Sequence, residues 1–117
     1  KHQMKIIRDN RSFKIKNSKI NKSYDIIMKN NELVSFFFGK KQEYDFVKKN
    51  WGFYISPSIN DRLKKNEFKI ALVENEKKKI FLCAYSKKKI KQFKSYLKKD
   101  NQKKLFDISQ KIIDKIK

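Results

Sequence analysis

The chain has 117 residues, a length that fits one domain with one modest core. Its 32 basic and 12 acidic side chains give a net charge of +20, while a hydrophobic content of 38% excludes general disorder. No apolar run reaches the ~20 residues of a membrane-spanning helix, and no signal-peptide pattern is present, so a cytoplasmic protein is expected.

The first forty residues read as short strands separated by turn residues. Apolar, β-branched or alternating segments predict strands at Met4–Arg8, Ser12–Lys16, Tyr24–Met28 and Leu33–Phe38. The intervening Asn and Asp residues favour turns, because both tolerate left-handed backbone. Four strands at this spacing predict an antiparallel meander.

The middle of the chain combines short helices with a hairpin. Tyr44 and Val47 lie three residues apart, which favours a short helix over Gln42–Asn50 that ends before a glycine. Ser58 is a candidate N-cap for a second short helix that ends at Lys65. Two strong strands at 68–74 and 79–85, joined by a four-residue turn, predict a hairpin.

The last third of the chain reads as helical. Ser86 is predicted to cap a helix over Lys87–Lys99, whose Ile90, Phe93 and Leu97 share one face. A final amphipathic helix fits the apolar spacing of residues 105–116. A strand over 104–108 followed by a shorter helix is the alternative.

Together these elements predict an α+β fold. We expect an antiparallel sheet, built from the N-terminal meander and the hairpin, with two or three helices packed on one of its faces. All 117 residues are assigned to a single basic domain.

Several enzyme classes require residues that this sequence lacks. The only histidine is His2 and the only cysteine is Cys83, which excludes Cys/His triads, histidine-based zinc sites and an intrachain disulfide. The two glycines are too few for a Walker loop. Cys83 lies in an apolar run and is predicted to be a core residue. No catalytic residue, metal or cofactor is predicted.

The lysines of the predicted C-terminal region suggest a polyanion partner. On the predicted helix Lys87–Lys99, four lysines at helical spacing form a stripe that lies roughly 110° around the helix axis from the apolar face. The polyanion-binding candidates are Lys87, Lys91, Lys94, Lys98, Lys103 and Lys104. Such residues could contact the phosphates of RNA or DNA, or another polyanion. The alternatives are a solvated helix face, and a lysine excess that reflects an A/T-rich genome.

The segment 50–65 holds the only Trp, the only Pro and one of three Arg. Polar and aromatic side chains that could orient a small ligand crowd together there. The ligand-binding candidates are Trp51, Tyr54, Ser56, Ser58, Asn60 and Arg62. In the alternative interpretation they are core, turn and capping residues.

The segment 50–65 and its surroundings resemble sequences of two known families. Lys49, Trp51, Gly52 and Phe53 resemble part of the RNA-recognition motif, from which the chain departs at Asn50 and Ser56. The run N-W-G-F-Y-x-S-P-S-I-N-x-R-L-K, then F-K-x-A-L-V, resembles a small bacterial family associated with surface-polysaccharide or nonulosonate loci. That resemblance covers residues 45–102 and implies an accessory role in glycan biosynthesis, with no catalytic residues.

Three hypotheses of function follow from these patterns. The first is a non-catalytic binding module for a polyanion, most simply nucleic acid. The second is a small ligand-binding or accessory protein of surface-glycan biosynthesis, centred on the segment 51–62. The third is a basic subunit of a larger assembly that docks on an acidic protein or on ribosomal RNA.

Overall fold

A computed structural model describes residues 4–15 and 18–117. In these residues the elements follow the order β1 (Lys5–Arg8), β2 (Ser12–Ile15), β3 (Ser18–Asn21), β4 (Tyr24–Ile27), β5 (Leu33–Phe38), β6 (Gln42–Lys49), β7 (Gly52–Ile55), α1 (Arg62–Lys65), β8 (Phe68–Glu74), β9 (Ile80–Ser86), a 3-10 turn (Lys87–Lys89), α2 (Ile90–Lys99), β10 (Lys103–Asp107) and α3 (Gln110–Ile116). The strands form antiparallel sheets, which confirms the predicted α+β class.

The chain divides into two compact units. The first consists of the chain up to Phe36 together with Tyr44–Ser56. The second consists of Phe37–Glu43, which includes the turn between β5 and β6, together with Pro57–Lys117.

In the first unit, β1 to β4 form a two-stranded ribbon instead of the predicted meander. β1 pairs with β4 and β2 pairs with β3, both antiparallel. Between the two ladders, the Asp9 amide donates to the Ser23 carbonyl at 2.7 Å. β3 was not predicted, because Ser18 and Asn21 at its two ends resemble turn residues. Its Ile20 lies opposite Phe13, and such cross-strand pairs stabilise a ladder.

A three-stranded sheet in the order β5-β6-β7 follows in the chain. The short helix predicted over Gln42–Asn50 is wrong, since this segment forms the central strand β6. Asp45 and Val47 are both buried and Phe46 between them meets Phe36 edge-on at 5.6 Å, so the segment follows the period of a strand. Gly52, predicted to follow a helix end, instead begins β7, and its φ of 143° suits glycine.

The sheet of the second unit has the order β10-β8-β9. The predicted hairpin is confirmed: β8 and β9 pair without interruption from Phe68 opposite Ser86 to Glu74 opposite Ile80. The Asn75 amide donates to the Lys79 carbonyl at 2.9 Å, and Lys78 adopts a left-handed φ of 67°. The hairpin therefore closes with a lysine at a position that more often holds glycine or asparagine.

The helix α2 packs against this sheet and forms the main core. Ala71, Val73, Tyr85 and Leu97 are its buried members, and Cys83, Ile90 and Phe93 pack against them. The predicted apolar face of α2 therefore lies on the sheet, and Cys83 is a core residue as predicted. Burial raises the pKa of the Cys83 thiol, which disfavours the reactive thiolate.

The predicted start of α2 needs correction, whereas its end at Lys99 is confirmed. Ser86 does not cap the helix with its side chain: a 3-10 turn precedes α2, and the Ser86 hydroxyl donates to Gln42 Oε1 at 3.2 Å. After α2, Asn101 takes a left-handed φ of 52°, and the chain returns as a strand.

The alternative that placed a strand before a shorter final helix is confirmed, with β10 and α3 in place of one helix over 105–116. β10 pairs with β8 through an irregularity between Lys104 and Phe106. Ser109 then caps α3, because its Oγ accepts a hydrogen bond from the Ile112 amide at 3.3 Å.

Candidate polyanion-binding surface

The lysine stripe, defined as Lys87, Lys91, Lys94 and Lys98, follows one side of the segment from the 3-10 turn to the end of α2. The apolar side of α2, roughly 110° around the helix axis from the stripe, packs on the sheet through Phe93 and Leu97. All four stripe lysines are exposed. The last three span about 10 Å along the helix axis, since each residue rises about 1.5 Å. The sheet thus fixes a row of ammonium groups towards solvent.

The charge of this segment is not balanced locally. Residues 87–99 contain seven lysines and no acidic residue. The Lys88 ammonium lies 3.1 Å from a Glu67 carboxylate oxygen, whereas the four stripe lysines make no ion pair within residues 4–15 and 18–117. Their charges therefore remain available to an external anion.

Lys103 and Lys104, the other two polyanion-binding candidates, lie on β10 and contact carboxylates of their own unit. The Lys103 ammonium lies 3.8 Å from Glu74, and the Lys104 ammonium lies 2.7 Å from Asp107. Lys104 is also half-buried and lies 5.8 Å from the centroid of the Tyr85 ring. The structure does not bring these two residues into the lysine stripe.

A hydrogen-bonded triad joins the strands β9 and β10. The Tyr85 hydroxyl donates to Asp107 Oδ1 at 2.9 Å, and the Lys104 ammonium contacts Asp107 Oδ2 at 2.7 Å. Burial, followed by the adjacent carboxylate, raises the pKa of Tyr85 well above its usual range. The Tyr85 ring stacks on Phe93 with the centroids 4.3 Å apart. The triad therefore fixes the sheet beneath α2, and with it the lysine stripe.

The ligand-binding candidates divide between the two units. Trp51, Tyr54 and Ser56 belong to the first unit, and Ser58, Asn60 and Arg62 belong to the second. In the first unit, Trp51 follows β6 and stacks on Tyr54 of β7, with centroids 6.1 Å apart and an angle of 18°. Trp51 is 67% exposed, so this aromatic pair faces solvent.

The second-unit candidates have local structural contacts. The Ser58 hydroxyl accepts a hydrogen bond from the Arg62 amide at 3.1 Å, but the prediction that Ser58 is the N-cap is wrong, because α1 begins at Arg62 and its N-cap is Asp61. The Arg62 guanidinium lies 3.8 Å from a Glu43 carboxylate oxygen, on the outside of α1. Ser58 therefore lies just before a short helix, close to its place in the alternative interpretation, whereas Arg62 pairs with Glu43.

A cavity of about 180 Å³ in the second unit was not predicted from the sequence. Its apolar wall includes Leu63, Ile70 and Ile113, and Asn60 and Lys87 also line it. The cavity is assembled from α1, β8 and the segment from β10 to α3, which are far apart in the chain. Of the four stripe lysines, Lys87 also lines the cavity.

Among the residues that the structure describes, we also searched for metal sites and for membrane-spanning helices. No three His, Cys, Asp or Glu side chains in this part of the chain come together as a metal site. None of its helices has the length and apolar character to span a bilayer. Arg8 and Arg11 lie over the rings of Tyr24 and Phe13, each 5.7 Å from the centroid.

Comparison of the chain with protein-family models, with curated proteins and with solved structures found no match.

Proposed function

We propose that this protein is a non-catalytic binding module for a polyanion, most simply nucleic acid, and that it binds through the lysine stripe of α2. The observation that carries this proposal is a row of exposed lysines that have no carboxylate partner among the described residues, on the 3-10 turn and on a helix that packs on the sheet with another side. Phosphate contacts of this kind give affinity without sequence specificity.

The physical basis is the release of counterions from the polyanion. Each phosphate neutralised by a lysine contributes about 0.9 to the slope of log affinity against log salt for duplex DNA, and about 0.7 for single strands. Four stripe lysines therefore account for a slope contribution of about 3.6 for duplex DNA and about 2.8 for single strands. Because lysine is a point charge without a fixed hydrogen-bonding fork, we expect little discrimination between sequences.

The test compares two variants that lose the same charge. In the first, the four stripe lysines are replaced by glutamine. In the second, four exposed lysines of the first unit are replaced by glutamine: Lys5, Lys14, Lys19 and Lys29. Binding to a fluorescent single strand and to a duplex is measured as a function of salt. The stripe variant should lose more than tenfold in affinity at low salt and about 3 in slope, and the control much less.

Two outcomes would contradict the proposal. If the parent protein fails to retain either nucleic acid at low salt, there is no polyanion site to assign. If both variants weaken binding equally, the net charge of the chain, and not the stripe, is responsible for the affinity.

A second candidate function rests on Trp51 and Tyr54. An exposed, stacked aromatic pair offers a flat surface for a sugar ring or another planar ligand, which supports a small-ligand or glycan-accessory role. In this proposal, the tryptophan fluorescence changes on addition of an acidic sugar and Tyr54→Ala weakens the response. An unchanged emission spectrum at saturating sugar would exclude this role.

A further inference from the structure

The two edges of the second-unit sheet are built differently. β10 carries Lys103 and Lys104, and an irregularity at 104–106 interrupts its pairing with β8. Charged side chains and bulges are the usual protection of an edge strand against pairing with another chain. β9, the opposite edge, reads Ile-Phe-Leu-Cys-Ala-Tyr-Ser and has no charge, no proline and no interruption over seven pairs.

The first half of β9 is also uncovered. Ile80, Phe81 and Leu82 are 56%, 49% and 55% exposed, whereas Tyr85 and Ser86 at the other end are buried. The Asn75–Lys79 hydrogen bond fixes the alternation of the ladder. By that alternation, the backbone groups of Ile80 and Leu82 point away from β8. A strand added here would find both unpaired backbone groups and apolar side chains.

Positive charge flanks this edge at both ends. Lys77–Lys79 precede β9 and Lys87–Lys89 follow it, all of them exposed. A second copy paired antiparallel with this edge would bring the first lysine group against the second, and like charges that face each other are destabilising. An added strand with acidic residues at both ends would instead meet lysines at both ends.

We propose that the β9 edge binds an extended segment of a partner protein, apolar in its centre and acidic at both ends, by strand addition. In this mode the main-chain hydrogen bonds provide affinity, and alternate side chains and flanking charges provide specificity. This surface shares Lys87 with the lysine stripe, but it differs from the stripe because it requires an unpaired strand edge as well as positive charge.

The test uses a synthetic peptide with alternating valine and threonine in its centre and aspartate pairs at both ends. Three further peptides carry a central proline, lysine at both ends, or the aspartates with a glycine-serine centre. Binding is measured by titration, and the amide exchange of Ile80 and Leu82 is followed by NMR. We expect binding of the first peptide only, with slower exchange at both amides.

A matched pair of variants separates strand addition from simple charge attraction. Leu82→Lys places a charge on the edge, and Ile116→Lys places the same charge on α3, where Ile116 is 76% exposed. Both positions are exposed, so both variants should fold, which circular dichroism checks. Leu82→Lys should weaken the first peptide by about tenfold or more, and Ile116→Lys should not.

Three results would overturn the proposal. Equal binding of the glycine-serine peptide would show that positive charge alone, without strand addition, accounts for the binding. Equal binding of the peptide with terminal lysines would remove the role of charge. Self-association of the parent protein that Leu82→Lys abolishes would make a second copy the occupant.

Discussion

Replacement of Tyr85 by phenylalanine tests how the surface beneath α2 is held. The change removes one hydroxyl that donates to Asp107 at 2.9 Å. It retains the ring, whose stacking on Phe93 at 4.3 Å does not depend on the hydroxyl. The perturbation therefore isolates one hydrogen bond to a charged acceptor within the packed interface.

The expected cost follows from the surroundings of that bond. Hydrogen bonds to charged groups contribute about 1.5–3 kcal/mol to stability. Asp107 keeps a second partner in Lys104 at 2.7 Å, so the lower end of this range applies. We expect Tyr85→Phe to reduce the free energy of unfolding by about 1.5 kcal/mol at neutral pH.

The same residue predicts a pH dependence. Burial and the Asp107 carboxylate raise the pKa of the Tyr85 hydroxyl in the folded protein. Above the unfolded value of about 10, the unfolded chain releases this proton while the folded chain retains it, so stability falls as pH rises. Tyr85→Phe lacks this contribution, and its difference in stability from the parent should therefore shrink above about pH 10.

Urea unfolding followed by far-ultraviolet circular dichroism, on both proteins at neutral pH and through the alkaline range, checks these expectations. The lysines ionise alike in both proteins and cancel in the difference. Equal stability of the two proteins at neutral pH, or a difference that stays constant through about pH 11, would refute the reasoning.

Other predictions test the core, the last helix and the ribbon. Leu97→Ala should destabilise the protein by about 3 kcal/mol in urea, because Leu97 is buried in the core; a loss below about 1 kcal/mol would show that the site collapses. Ser109→Ala should cost about 1 kcal/mol and speed amide exchange at Ile112, and unchanged exchange would contradict the cap. In the ribbon, desolvation opposes ionisation of Asp9, but the bond from Lys22 and nearby positive charges dominate and lower its pKa. Lys22→Gln should therefore raise the Asp9 midpoint in an NMR titration, and an unchanged midpoint would exclude this ion pair.

The lysine stripe was predictable from the sequence, whereas the Lys104–Asp107 contact and the cavity were not. The lysine stripe could be read directly, because residues that recur at helical spacing on one side of α2 must share that side wherever the helix packs. The pairing of Lys104 with Asp107 could not, since the bulge of β10 determines which side chains meet. No sequence pattern indicated the cavity beside Lys87, because its walls come from segments that are distant in the chain.

The elements of the fold likewise differ in whether the local sequence or the tertiary structure decides them. Sequence by itself determined the β8–β9 hairpin and the apolar face of α2, because both depend on contacts between residues close in the chain. Only tertiary structure decided that Gln42–Lys49 is a strand, since its apolar spacing suits either element and the strands β5 and β7 supply its hydrogen bonds. Likewise β1 pairs with β4 around an inner hairpin, and β10 interrupts what reads as one helix. Where the local sequence suits a helix and a strand about equally well, backbone hydrogen bonds to distant partners decide which of the two forms.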